Sequence, residues 1–248
     1  MPGHAPPRAT MPGVPPVRRR RAAFDATTPR PPSAPELPEA LIARDLGALW
    51  LDDEDRLEGV ELTGTAPPDL RARNVTIEDA RIRGGLAGAR LHDLHLHDAE
   101  IAGADLANVD LRGAHLSRLL IADVRLTGAQ LIGATLQDVT LVDCRLDFAV
   151  LAQARLDRVL LRNTALVEST LEQAQLRDVR FESCDLTRAA LGQSTHTRVE
   201  LHGCRLAEVR ALSDLRGAAM PYPDLVDQAA NLAAALGIRL TTDPDEER

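Results

Sequence analysis

Residues 104–118 read Ala104-Asp105-Leu106-Ala107-Asn108, Val109-Asp110-Leu111-Arg112-Gly113, Ala114-His115-Leu116-Ser117-Arg118. Three times in succession a leucine stands at the centre of five residues, with a small apolar residue two positions before it. The pattern persists in both directions. Every fifth residue from Leu86 to Leu176 is Leu or Ile, Phe181, Leu186, Leu191, Leu201 and Leu206 carry it on, and only His196 breaks it. Period five suits neither regular element. On an α-helix, five steps of about 100° turn each leucine about 140° from the last, so no apolar stripe forms. On an unbroken strand an odd period sends successive leucines to opposite faces. Within one repeat, however, the small residue and the leucine are two apart and share a side. Each repeat therefore needs a corner that returns the next pair to the same interior. The chain winds as a coil of short flat sides, and successive coils stack as parallel strands about 4.8 Å apart.

Charge decides the number of sides, because residues one coil apart stand over each other and like charges so placed repel. At spacing fifteen, Asp98 leads to Gly113, Gly128 and Asp143 without order. At spacing twenty the column reads Asp98, Arg118, Asp138, Arg158, Asp178, Arg198, alternating in sign at every step. The three cysteines agree, since Cys144, Cys184 and Cys204 fall in one inward column whose gap Thr164 fills. The reading is an all-β solenoid: a four-sided parallel β-helix of about 20 residues per coil over residues 57–210. Its predicted core includes Leu96, Leu116, Leu136, Leu156, Leu161, Leu176 and Phe181. From Leu86 to Leu206 six coils span roughly 29 Å. Gly84-Gly85 departs from phase, Leu86 following Ile82 by four, and predicts a distorted corner that uses glycine at positive φ. Leu57, Val60 and Leu62 begin the first rung, and Pro67-Pro68 predicts an irregular side.

Repeats such as Ala104-Asp105-Leu106-Ala107-Asn108 and Cys184-Asp185-Leu186-Thr187-Arg188 resemble the pentapeptide-repeat family. The resemblance covers roughly residues 57–210. It implies that the quadrilateral β-helix is right-handed. It also raises a specific function, because some members mimic duplex DNA with acidic side chains, bind type II topoisomerases such as DNA gyrase, and protect against fluoroquinolones.

Outside the coil the composition changes. Residues 1–38 are rich in Pro and Ala and poor in large apolar residues, which predicts a disordered tail carrying one basic run, Arg18 to Arg21. Residues 39–56 are expected to form an N-terminal cap, helical over Leu41 to Leu51. A solenoid end exposes unpaired strand groups and needs a cover. Residues 211–240 supply one through a helix at about 223–236, opened by Pro223 and stopped by Gly237. Leu225, Ala229, Leu232 and Leu236 lie on its apolar face, which suits a lid or a contact between two copies. Residues 241–248 form an acidic tail.

Chemistry is scarce. The chain has 248 residues, 2% aromatic content and a formal net charge of -8; all 29 basic residues are Arg, as a GC-rich coding sequence would give. No apolar run reaches the roughly 18 residues of a membrane span, and no secretory segment is evident. Three cysteines in inward positions read as packing, in a reducing cytoplasm. His92, His95, His97 and His115 cluster on the surface without the ligand set of a metal centre. Asp52 to Asp55 lack calcium-loop spacing, and no phosphate loop or nucleophile elbow occurs. The chain reads as no enzyme, with no catalytic residue, cofactor or metal. It reads as a protein-interaction scaffold without an assigned partner, with the topoisomerase-binding DNA mimic as the alternative. Direct nucleic-acid binding by the rod and membrane association are not expected. Outward apolar residues Leu120, Phe148, Leu160, Ile132 and Val150 are the candidate contact patch.

Overall fold

The computed structural model describes residues 28–239. The repeat leucines form short parallel strands, and the sides that run longest become the strands of one sheet. These are β1 (Ile42–Asp45), β2 (Arg56–Thr63), β4 (Thr76–Ile82), β6 (His95–Ala102), β7 (His115–Ala122), β8 (Thr135–Val142), β9 (Arg155–Arg162), β10 (Gln175–Glu182) and β11 (Thr195–His202). They pair in parallel in that order as a nine-stranded sheet, and β3 (Arg71–Arg73) pairs with β5 (Arg90–His92) on another side. From β6 onward the register advances by twenty: Leu96 meets Leu116, Leu116 meets Leu136, and Leu156 meets Leu176. About eight turns stack in this way.

The corner is a left-handed residue. Positive φ recurs two positions after each central apolar residue, at Asp98, Gly103, Asn108, Gly113, Arg118, Asp123, Gly128, Gly133 and Asp138 in succession. Asp and Asn tolerate this region better than other side chains, and Gly has no penalty there. The corner amides remain bonded from coil to coil, as in Asn108 N–H to the Thr127 carbonyl at 2.8 Å. Two corners per coil are closed by tight turns, exemplified by Val109 N–H to Leu106 O and Ala114 N–H to Leu111 O. Another lies within the long strands, where Asp98, Arg118 and their counterparts bend the chain without ending it.

Leu96, Leu116, Leu136, Leu156, Leu161, Leu176 and Phe181 all lie inside the tube, buried with the small residues that precede each repeat leucine. Each such leucine contributes about 1.5–3 kcal/mol relative to exposure. Cys144, Cys184 and Cys204 are free and buried, each Sγ within 3.5 Å of the carbonyl two residues earlier. Thr164 makes the equivalent bond from Oγ1 to Arg162 O, so the thiols do what a small hydroxyl does in the same column.

The ends and the seam differ from expectation. The N-terminal cap is a strand, not a helix: β1 pairs with β2, so the stack starts at Ile42 and not at Leu57. Only Leu46–Ala48 make a 3-10 turn, which drives Leu46 into the core at 1% exposure. The coil joining β4 to β6 is one residue short, Thr76 pairing with His95, which accounts for the lost phase. Neither Gly84 nor Gly85 is at positive φ. Gly84 instead allows close approach, because a Cβ there would stand 2.5 Å from both Gly64 O and Leu46 Cδ1. At the C-terminus the single helix is two, α1 (Tyr222–Asp227) and α2 (Ala229–Ala235), interrupted at Gln228 with φ -97° and ψ 3°. Gly237 at φ 71° ends the second.

The largest departure lies before the coil. Residues 28–38, expected to be disordered, lie along the rod and bond to it through three backbone amides. The run Arg18–Arg21 and the acidic tail fall outside the described residues.

Candidate functional site

The column Asp98–Arg198 sits at the left-handed bends of β6 to β11, which turn each of its side chains toward its neighbours one coil away. Arg158 donates Nε and Nη2 to the two carboxylate oxygens of Asp138, both at 2.7 Å. Arg198 holds Asp178 in the same way at 2.5 and 2.6 Å. Arg118 grips Asp98 through Nε at 2.6 Å and through Nη2. Within the column each arginine reaches back to the preceding aspartate and not forward to the next, although Arg158 also pairs with Asp157 at 2.9 Å and Arg118 also meets His97. Among the described residues no ion pair joins Arg118 to Asp138 or Arg158 to Asp178. The alternating ladder is therefore three separate bidentate pairs, a geometry with particular strength.

Nor is the column a surface feature on its acidic side. Asp98, Asp138 and Asp178 are buried, the last at 1%. What covers them is the N-terminal segment. Arg30 N–H donates to Asp178 Oδ1 at 3.1 Å, Ser33 N–H to Asp138 Oδ1 at 3.0 Å, and Glu36 N–H to Asp98 Oδ1 at 3.1 Å. Oδ1 of each aspartate thus accepts both a guanidinium and an amide, and the missing rungs of the ladder have a physical reason. The arginine beside each aspartate, with the strap amide, holds its carboxyl below the usual range against the opposing pull of burial.

Elsewhere the charges also pair across one coil. Asp157 meets Arg177 at 2.8 Å, Arg162 meets Glu182 at 2.7 Å, Glu168 meets Arg188 at 2.5 Å and Arg180 meets Glu200 at 2.9 Å. Asp185 and Asp105 have looser partners in Arg205 and Arg125. The candidate contact residues are scattered. Phe148 is 54% exposed at a left-handed corner, and Leu120 is exposed at 37%, whereas Ile132, Val150 and Leu160 are half-buried. Leu160 lines a recess with Pro29 to Pro32, so part of the supposed patch is already covered by this chain. Of the four residues expected on the apolar face of the C-terminal cap, Leu225, Ala229 and Leu236 are exposed and Leu232 packs against the core, as do Leu215, Ala218 and Met220 before the helices. The cap is anchored by polar bonds, among them Gly203 N–H to Asp224 Oδ2 at 2.5 Å.

His95, His97 and His115 line one surface recess with Glu78 and Ser117, and His92 instead pairs with Asp110. His95 and His115 stack with ring centroids 4.8 Å apart, while His97 contacts Asp98, Arg118 and Ser117. Among the described residues no group of three or more His, Cys, Asp or Glu is placed to hold a metal ion. Burial pushes the Cys144 thiol up, which suits packing. His196 replaces a core leucine above Leu176, and its Nε2 lies 3.1 Å from Ser194 Oγ.

The repeated coil has relatives. Residues 122–191 match the family model described as a pentapeptide repeat region, and residues 86–118 match that for pentapeptide repeats. The repeat segment belongs to the pentapeptide-repeat family. Among solved pentapeptide-repeat structures, HetL from the cyanobacterium Nostoc sp. strain PCC 7120, involved in heterocyst differentiation regulation, is 21% identical, with a TM-score of 0.31 over 68% of this chain and 91% of that one. Full-length QnrB1, a plasmid-mediated fluoroquinolone resistance protein, is 16% identical, with a TM-score of 0.38 over 74% of this chain and all of that one. A pentapeptide repeat protein of the Arabidopsis thaliana thylakoid lumen is 16% identical, with a TM-score of 0.23 over 52% and 73%. No curated protein matches the sequence. Both family matches lie within the pentapeptide-repeat coil, and the segment on the aspartate column precedes them.

Proposed function

We propose that this pentapeptide-repeat chain is a non-catalytic protein-interaction scaffold of the cytoplasm. Phe148 carries the reading. Its ring stands out from a rigid frame at φ 59°, a conformation that a bulky residue adopts at a cost, in a column otherwise occupied by Asn108, Gly128, Glu168, Arg188 and Glu208. Exposed aromatic side chains are favoured anchors of protein interfaces. In the Phe148 column Glu168 pairs with Arg188 one coil away. Three buried free thiols fit a reducing compartment, and no helix among the described residues is long and apolar enough to cross a membrane.

The test is Phe148→Asn, which removes the ring and relaxes the corner. With tagged full-length protein as bait, a partner retained by the parent protein is lost by the variant, and thermal stability is unchanged or raised. Equal retention by both proteins contradicts the role of Phe148.

The DNA-mimic alternative needs a run of free carboxylates along the rod. Asp98, Asp138 and Asp178 are buried under amides and guanidinium groups, and Asp157, Glu168 and Glu182 each face an arginine one coil away. Such pairing cancels the summed field on which mimicry depends. For the cap, a contact between two copies is the second reading beside a lid, with Leu225, Val226, Leu236 and Ile238 exposed together on a short segment.

A further inference from the structure

Residues 28–38 carry a second period, distinct from the repeat. Pro29, Pro32, Pro35 and Pro38 are spaced by three, and the residue after each of the first three is Arg30, Ser33 or Glu36. Those are the three residues whose amides bond to the aspartates. Pro29 is buried and Pro32 and Pro35 are half-buried, so the first three prolines face the rod, and Pro38 is exposed. The dimensions agree. Polyproline II rises about 9.3 Å over three residues, and two coils rise about 9.6 Å. Asp98, Asp138 and Asp178 are each separated by two coils, so one turn of the segment spans one aspartate interval. Proline fixes φ and biases the preceding residue to extended conformations, which lowers the ordering cost of such a strap.

We propose that this face of the rod is a polyproline-II docking groove, that residues 28–38 are its resident ligand, and that it accepts in trans a proline-rich peptide with the same three-residue spacing. One carboxylate every second coil reads one amide every third residue. The arginines fix the three aspartates and keep them ionised, and the half-buried Leu160 lies beside Pro29 to Pro32. A peptide with proline at the positions of Arg30, Ser33 and Glu36 keeps the helix and the contacts of the other prolines but loses the three amides that bond to the aspartates. The inference does not depend on Phe148, which lies at another corner.

The full-length chain tests it in two steps. In the parent protein, amide exchange followed by NMR is slowed on the order of tenfold or more at Arg30, Ser33 and Glu36 relative to Ala34 and Leu37. The triple variant Arg30→Pro, Ser33→Pro, Glu36→Pro leaves the coil sequence intact, which circular dichroism verifies, and frees the groove. A fluorescent peptide of residues 28–38 then binds the triple variant at least ~10-fold more tightly than it binds the parent, and a peptide bearing the same three prolines does not bind. Uniform exchange at all five amides overturns the resident ligand. Equal affinity for variant and parent, or equal binding of the two peptides, overturns the groove. Each of these failures leaves the Phe148 experiment unaffected.

Discussion

A buried leucine on one side of the tube touches leucines of the coils above and below and has nowhere to relax. Leu161 is such a residue, 2% exposed between Leu141 and Phe181 in the register. Leu161→Ala should cost about 2–5 kcal/mol in chemical denaturation; a loss under about 1 kcal/mol would place its side chain outside the lumen. His196 occupies the same kind of position with a polar ring. Burial depresses its pKa, so the unfolded chain binds the proton first, at about pH 6.5, and the folded chain only at lower pH. Its stability contribution is complete above that pH and is lost as the pH falls. His196→Leu should therefore flatten the decline in melting temperature of the parent protein between about pH 7 and 5, and an unchanged slope would contradict the burial of the ring.

Among the elements, the aspartate column joins the sheet to the strap. Arg158→Asp removes both bonds to a carboxylate that is otherwise buried and sets a second carboxylate beside it. The loss should be roughly 2–3 kcal/mol, between the values for exposed and buried pairs. Arg125→Asp disrupts a pair that is mostly exposed on both partners and should cost less than about 1 kcal/mol. Equal losses from the two changes would mean that the column is no more buried than the rest of the surface. The column's register was legible in the sequence because side chains one coil apart repeat at a fixed spacing. Its partner was not, since an amide donor leaves no trace in residue type. The prolines at positions 29, 32, 35 and 38 were the available sign, readable once the two-coil interval was known. Gly84 was misjudged for a related reason: its need arises from Gly64 and Leu46, which the fold brings against it from earlier in the chain. The C-terminal helix was legible as an apolar face but not as two pieces, because the break at Gln228 adjoins bonds to the last coil, including Gln228 Nε2 to Cys204 O at 3.5 Å.

At the scale of the whole molecule, the net charge of -8 resides in carboxylates outside the ion pairs, gathered before the coil at Asp52 to Asp55 and scattered along it at Asp123, Asp143 and Asp147, while the paired columns are neutral, so no continuous negative edge faces outward along the described rod. Purified protein at micromolar concentration should leave DNA gyrase supercoiling unaffected; inhibition would restore the DNA-mimic reading. All of this depends on a coil of four sides with residues twenty apart in register. Arg125 and Arg205 are exposed, in phase and four coils apart. Spin labels on cysteines at these two positions, with the native buried thiols unreacted, measure that geometry directly by pulsed electron resonance. The backbone separation should be about 19 Å plus the label tethers, although the two positions are eighty residues apart in sequence. A distance near 120 Å, the length of eighty residues of α-helix, or a broad distribution without a maximum near the short value, would contradict the coil.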